Sequence, residues 1–498
     1  MREQRLKLNT FTSLVFQLAA VICGFILPRL IIGQYGSEVN GLLNSITQFL
    51  GVVNFIELGV GAVVQSSLYE PLAEKNNDKI SKVIKSASGF YCKIASLFII
   101  YAVVLLIIYP FIGRNDFERV FTMLLIVVMF ISSFAQNYFG IVERLLLSAD
   151  QRGYVQYTLQ TISIVLNTLL SACLIFAGAS IIAVKLVAAL IFVVQPIFLK
   201  LYVRRNYSVD RRVTLVEEPI KQKWNGLAQH VAAVILDSTD TIILTVFSSL
   251  SNVSIYSVYH LVIYGVKNLF AVMTNGIQSY WGDMWAKNEN VELNDTFMYY
   301  EWLIHMGSVL VFGCTGVLVV PFVKIYTSGV TDANYIVPAF AALITIAHGT
   351  HCLRLPYHVL IKSVGHYKQT QKCYIIAVVL NLFISIITVK LWGLIGVAIG
   401  TLIAMLYQTV WMAYYDYRKV LSRKIKFFYK LIALDVVIVL AGCFVSELFS
   451  LKSISYFSWV ELALKDFFTW LLIVICSNFL IYRDNLRRLL KSVWTLKG

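Results

Sequence analysis

Apolar residues along the chain gather into runs of about 20 or more, separated by short clusters of charged and polar positions. An α-helix rising 1.5 Å per residue needs about 20 residues to cross roughly 30 Å of hydrocarbon, so each run has the length of a membrane span. The pattern predicts fourteen such helices, over 9–33, 41–68, 89–113, 120–141, 155–177, 180–201, 226–247, 255–281, 302–326, 335–361, 373–389, 391–414, 428–449 and 462–482. Period-two alternation is weak and the runs are too long for barrel strands. The expected fold is an all-α integral membrane protein.

The stretch 19–77 has a faint echo later in the chain. Ala19-Ala20-Val21-Ile22 returns as Ala232-Ala233-Val234-Ile235, Gln65-Ser66 as Gln278-Ser279, Ala73 as Ala286 and Asn77 as Asn290, all displaced by 213 positions. The layout is shared as well: a long apolar segment, a polar turn, a second apolar segment and a charged loop. A tandem helical repeat of this kind is a transporter feature. It predicts a six-helix lobe over 1–202, a linker over 203–223, a second six-helix lobe over 224–417, and two further helices with a basic tail over 418–498.

Composition supports the membrane class. The 498 residues are 58% hydrophobic and 14% charged, with mean hydropathy +0.74, which leaves too few polar positions to cover soluble domains. Of the 42 Lys and Arg, 31 fall on one side of the expected spans and six on the other. Positive loops stay in the cytoplasm, so both termini, the 200–223 linker and the 418–430 loop are expected there. The linker's Arg204, Arg205, Arg211 and Arg212 read as a topology determinant near anionic lipid, with headgroup capture as the alternative. The net charge of +15 is spread over loops rather than gathered on one face, so no nucleic-acid partner is implied.

Several function classes drop out. No Gly-x-x-x-x-Gly-Lys-Ser/Thr loop is present, which argues against ATP hydrolysis. The external loops are too short to carry the acid, base and sugar-binding groups of a membrane polymerase or ligase. No cleavage site closes the first apolar run, so it reads as a helix and not a signal peptide. The eight cysteines lie in or beside apolar spans without a Cys-x-x-Cys pair, so neither disulfides nor cysteine metal sites are expected, and no catalytic residue or metal is assigned.

The chemistry lies in polar residues within the spans. Asn44, Thr47, Gln48, Gly51, Asn54, Gly61 and Gln65 form one polar and small helix face, whose later counterparts include Tyr264, Lys267, Thr274 and Gln278. Helix packing and a hydrated cavity both fit this stripe. Charged residues weigh toward the cavity, because an ionisable group at mid-membrane costs at least ~2.5 kcal/mol unless it meets water or a partner. The candidates are Arg29, Glu57, Asp237, Asp240, Lys267 and Arg354; Lys93 and Lys185, near span ends, are expected to snorkel. Asp237 and Asp240 share a helix face and serve either as partners of the buried cations or as a site for a coupling cation, proton or sodium. His348, His351 and His358 have zinc-like spacing but little carboxylate or thiolate support, and polar lining is the better reading.

A family resemblance follows from several motifs. Arg29 with Gly33, Gly36-Ser37-Glu38-Val39-Asn40-Gly41-Leu42, Leu58-Gly59, Leu68-Tyr69-Glu70-Pro71-Leu72-Ala73, Ala149-Asp150-Gln151-Arg152-Gly153-Tyr154 and Asp237-Ser238-Thr239-Asp240 resemble positions of Wzx-type polysaccharide flippases. These belong to the multidrug, oligosaccharidyl-lipid and polysaccharide exporter superfamily. The resemblance covers nearly the whole chain and agrees with two six-helix lobes plus two helices. It implies a non-enzymatic flippase in a bacterial cytoplasmic membrane, carrying undecaprenyl-pyrophosphate-linked oligosaccharide to the outer leaflet by alternating access for capsule, exopolysaccharide or O-antigen synthesis. Membrane lipids and polysaccharide-assembly proteins would be its partners.

The residues fit that task. Arg offers paired donors to phosphate oxygens and Lys a point charge, so Arg29, Lys267 and Arg354 are expected to line the interlobe cavity, with at least two of them contacting pyrophosphate. Asn44, Gln48, Asn54, Tyr264 and Gln278 would meet sugars, and Glu57, Asp237 and Asp240 would act as ion-pair or coupling groups. A cation-coupled multidrug antiporter on the same fold is the main rival, against which the buried cations argue by repelling cationic drugs. A membrane polymerase or ligase and a non-transporting scaffold are weaker ones.

Overall fold

The computed structural model describes residues 2–52, 55–112, 117–210, 213, 238–274 and 277–495. No strand occurs among them. Ten of their helices are long and apolar enough to cross a membrane, and shorter apolar helices accompany them, so the expected all-α multi-pass architecture is what the chain adopts. The chain divides into two compact units, Met1–Ser254 and Ile255–Gly498.

The first unit contains α1 (Arg2–Tyr35), α2 (Ser37–Gly51), α3 (Phe55–Ala73), α4 (Asn77–Ile108), α5 (Arg119–Asn137), α6 (Ile141–Ala149), α7 (Gly153–Phe176), α8 (Ile181–Asn206), α9 (Ser238–Phe247) and the first turn of α10 (Leu250–Met273). One core cluster gathers Ile46, Phe98, Leu105, Tyr109 and Leu125; another gathers Val64, Leu68, Ile84, Leu146 and Leu147. Hydrophobic side chains also face outward in number, such as Leu169 at 58% and Phe176 at 78% exposure, as helices bathed in lipid require. Polar contacts tie α2 to the later segment: Tyr109 Oη and Thr245 Oγ1 both donate to Ser45 Oγ, at 2.6 and 2.8 Å, and Asn40 Nδ2 donates to Ser254 Oγ at 2.7 Å. A Cβ on Gly41 would lie 1.8 Å from the Leu250 carbonyl oxygen, so only glycine permits this approach.

The motif 149–154 has a structural reason. Asp150 accepts from Tyr207 Oη at 2.5 Å and pairs with Arg152 at 2.9 Å and Arg5 at 3.6 Å. Asn9 binds the same turn twice, through Gln151 O and the Tyr154 amide.

The second unit holds the rest of α10, α11 (Ile277–Ala286), α12 (Asn290–Tyr326), α13 (Pro338–Leu353), α14 (Leu355–Ser363), α15 (Tyr367–Trp392), α16 (Leu394–Lys419), α17 (Lys426–Ser446), α18 (Tyr456–Ile481) and α19 (Arg483–Thr495). Trp470 fills the space between α12 and α17, where Cβ atoms on Gly313 and Gly442 would come within 1.9 and 2.6 Å of its ring. Gly396 and Gly400, four apart on α16, bring that helix against α15: a Cβ on either would lie 2.2 Å from Thr388 O or 2.0 Å from Ser385 Oγ.

The repeat is visible in the turns. Lys75 and Asn288 are both non-glycine residues in the left-handed region, at φ 53 and 60, and lie 213 apart. Their turns close alike: Lys75 N–H donates to Leu72 O and Asn76 N–H to Pro71 O, while Asn288 donates to Trp285 O and Glu289 to Met284 O. Helices α4 and α12 then start 213 positions apart. At the turns before α7 and α15 the left-handed residues are Gln151 and Gly365, and the offset is 214.

The expected spans at 120–141 and 335–361 are not continuous helices. The first is split at 138–140, with Gly140 at φ 95, and the second at Arg354. Within spans 41–68 and 255–281 the described helices are α2 with α3 and α10 with α11, and residues 53–54 and 275–276 lie outside the described residues. Hydropathy reports apolar length and is blind to these divisions.

Candidate functional site

Helix α13 ends one residue before Arg354, whose amide donates to Thr350 O and His351 O at 3.2 Å. Pro356, with no N–H, suits the first turn of α14 and not a helix interior, so the Leu355-Pro356 pair restarts the helix there. The break brings Arg354 and the amino end of α14 to the same level. Arg354 is 7% exposed; its Nη2 lies 2.7 Å from His351 Nδ1 and its Nη1 3.8 Å from Met405 Sδ.

Lys267, 6% exposed on α10, acts electrostatically on His348, His351 and Cys352. On the same helix Tyr256, His260 and Tyr264 stack at four-residue intervals, with ring centres 5.4 and 5.0 Å apart. Lys267 Nζ stands 5.3 Å from the Tyr264 ring, and His260 meets His348 edge-on at 5.9 Å. His358 Nδ1 is hydrogen-bonded to Tyr374 Oη. Two of the three expected pyrophosphate ligands, Lys267 and Arg354, thus share one neighbourhood with Tyr264 and three histidines. The set offers positive charge, imidazole donors and aromatic faces, which suit a phosphate group joined to sugar. Among the described residues no group of three or more His, Cys, Asp or Glu is disposed to hold a metal ion.

The remaining expected site residues are dispersed. Arg29, on α1 of the first unit, is half-buried, with its guanidinium beside Gly33 one turn on. Asn44 donates to the Asn40 carbonyl of its own helix at 2.8 Å, and Gln48 is half-buried nearby. Asp240 is buried on α9, and Gln278 is exposed on α11, its carbonyl accepting from Ser363 Oγ at the far end of α14. Asn54 and Asp237 lie outside the described residues, as does the Glu57 side chain.

A second polar cluster escapes the sequence pattern. Glu301, wholly buried on α12, accepts from Tyr357 Oη at 2.5 Å and Tyr417 Oη at 2.6 Å. One turn on, His305 Nδ1 lies 2.5 Å from Asp435 Oδ2 of α17, and its Nε2 has no partner among the described residues. Asp416 on α16 is wholly buried within electrostatic reach of Glu301, and neither of its carboxyl oxygens has a hydrogen-bond partner among the described residues. The expected spans 302–326 and 391–414 stop just short of Glu301 and Asp416, which made both look like loop residues. Asp435 lay inside an expected span and was the available signal.

No protein-family profile matches the chain, and no curated protein matches it. Solved structures do. The lipid II flippase MurJ in an inward closed conformation superposes with a TM-score of 0.73 at 14% identity, over 95% of this chain and 99% of that one. An inward-facing multidrug resistance MATE transporter of the MOP superfamily gives 0.59 at 15% identity over 83% and 97%. The Vibrio cholerae MATE transporter VcmN in its bent form gives 0.55 at 14% over 84% and 98%. The likeness is one of fold, and the chain is a multi-pass membrane protein with the architecture shared by a lipid flippase and multidrug transporters.

Proposed function

We propose that the chain is a flippase that moves an undecaprenyl-pyrophosphate-linked oligosaccharide from the cytoplasmic to the outer leaflet of a bacterial cytoplasmic membrane by alternating access, with both termini cytoplasmic. The observation that carries the reading is the meeting of Lys267, Arg354, His348 and His351 beside the Tyr264 ring. Two long cationic side chains and imidazoles answer a pyrophosphate, and the ring offers a face to the first sugar. The fold shared with a lipid II flippase supports a lipid-linked cargo. Arg29 is assigned a further phosphate contact.

Purified protein in proteoliposomes should move lipid-linked oligosaccharide to the lumenal leaflet, read by a sugar-modifying reagent that cannot cross the membrane. Lys267→Gln and Arg354→Gln should each lower the rate about tenfold or more at normal folding, the loss of one charged hydrogen bond of about 1.5–3 kcal/mol. Full transport by both variants would overturn the assignment.

A second reading, a cation-coupled multidrug antiporter, draws on the buried carboxyl groups of Glu301, Asp416 and Asp435. It requires efflux of a cationic dye driven by a proton or sodium gradient and lost in Asp416→Asn. Dye efflux without lipid movement would favour it over the flippase.

A further inference from the structure

A cavity of about 190 Å³ opens within the first unit. Leu27, Thr47, Gln136, Asn167, Ser171 and Lys185 are among the side chains around it, drawn from α1, α2, α5, α7 and α8. Lys185, the fifth residue of α8 and expected to snorkel, is half-buried, lines this space, and makes no ion pair or hydrogen bond among the described residues. The stretches of those five helices that line the cavity carry no Asp or Glu.

The rim is built for donation and acceptance together. Ser171 Oγ donates to Asn167 Oδ1 at 3.3 Å, which occupies that carbonyl and leaves the Asn167 amide as a donor; Asn167 is 7% and Ser171 2% exposed. Gln136 Nε2 donates to Ser132 Oγ at 3.1 Å and keeps its own carbonyl for a hydroxyl. Leu27, Ile31 and Phe192 supply an apolar side. The volume is well under a drug-sized pocket and of the scale of one monosaccharide.

We infer that this cavity binds a single sugar acid, a hexose-sized ring whose one carboxylate pairs with the Lys185 ammonium while its hydroxyls meet the Asn167, Ser171 and Gln136 side chains. One fixed cation matches one negative charge, and an ammonium suits a point contact where a doubly charged phosphate would favour a guanidinium fork. A half-buried ammonium in an apolar helix gains from a ligand that brings its counter-charge. The site stands apart from the proposed lipid-linked cargo: a soluble sugar acid tests it, so failed binding and failed flipping are separate results.

The test uses the full chain purified in detergent, with calorimetric titration of glucuronate, glucose, acetate and glucose 1-phosphate. Glucuronate should bind about tenfold or more tighter than glucose or acetate, each of which carries half of the recognised chemistry. Lys185→Gln should erase the preference for glucuronate over glucose. Ser171→Val, which leaves the ammonium in place, should weaken glucuronate and keep the charge preference, and it decides the matter if Lys185→Gln does not fold. Equal binding of glucuronate and acetate, or unchanged binding in both variants, would overturn the site; tighter binding of glucose 1-phosphate would overturn the carboxylate assignment.

Discussion

The two units repeat one set of turns around different interiors. Where α12 carries Glu301 and His305, the matching positions of α4, 213 earlier, are Ser88 and Cys92. Where the expected span 335–361 breaks at Arg354, the expected span 120–141 breaks at Gly140, 214 earlier. The glycines that bring α16 against α15 have Ala183 and Val187 as counterparts on α8. Backbone frame and interior chemistry therefore vary independently: the frame needs only apolar faces and left-handed turn residues, while the buried polar groups differ at matching positions. The second unit gathers Glu301, Asp416 and Asp435 with imidazoles and buried cations, whereas the cavity described in the first is lined by hydroxyls and amides around one lysine.

The sharpest break in this comparison is Gly400→Val. Its Cβ would fall 2.0 Å from Ser385 Oγ and 2.9 Å from the Ser385 amide nitrogen, so α15 and α16 must part, and folded yield on size exclusion should collapse. The reciprocal change, Val187→Gly, should cost only about 1 kcal/mol of helix propensity plus the lost side-chain contacts. Next in size is Glu301→Ala, which leaves the Tyr357 and Tyr417 hydroxyls buried without their acceptor. At about 1–3 kcal/mol for each such group, a destabilisation of about 2–6 kcal/mol should appear in thermal melts, and the further changes Tyr357→Phe and Tyr417→Phe should recover part of it.

Gly140→Ala addresses the other break. At φ 95, with the new Cβ 3.0 Å from Pro196 Cβ, it should destabilise by about 1–2 kcal/mol, measurable as a lower Tm. The smallest effect is expected at the surface, where Asp283 pairs with Lys287 at 2.6 Å and holds the ammonium pKa above its ordinary value. Both side chains are exposed, and Asp283→Asn should leave the melting temperature unchanged at physiological salt.

The all-helical fold and the repeat were legible because both rest on quantities that survive substitution: apolar length and the spacing of turns. The echo at 213 came from a few identities, yet the left-handed residues Lys75 and Asn288 obey it without sharing a residue type. Lys267 and Arg354 were legible as buried cations, since little but a polar interior accommodates them in long apolar runs. Their histidine neighbours were visible as spacing only, because sequence gives no distance between α10 and α13. The cavity role of Lys185 was not legible, because closeness to a helix end says nothing about rotation around the axis, and Lys185 lines the same space as Asn167 and Ser171. Glu301 and Asp416 were missed because a hydropathy boundary is drawn where charge begins, so a charge buried in the last turns of a span marks its own exclusion.

The turn register has a consequence for how length can change in such a chain. Helix α15 has 26 residues and α7 has 24, but Gly393 alone joins α15 to α16 whereas residues 177–180 join α7 to α8. Between the two hairpins the longer helix takes up two of the three residues by which its loop is shorter, and the offset falls from 214 at α7 and α15 to 213 at α8 and α16. A residue inserted inside either helix would rotate everything after it by about 100° and carry an apolar stripe off its partner. One taken up at the helix end and withdrawn from the loop leaves the following helix in phase. The hairpin tips are thus slip joints, and insertions or deletions should be tolerated there long before they are tolerated in the helices on either side.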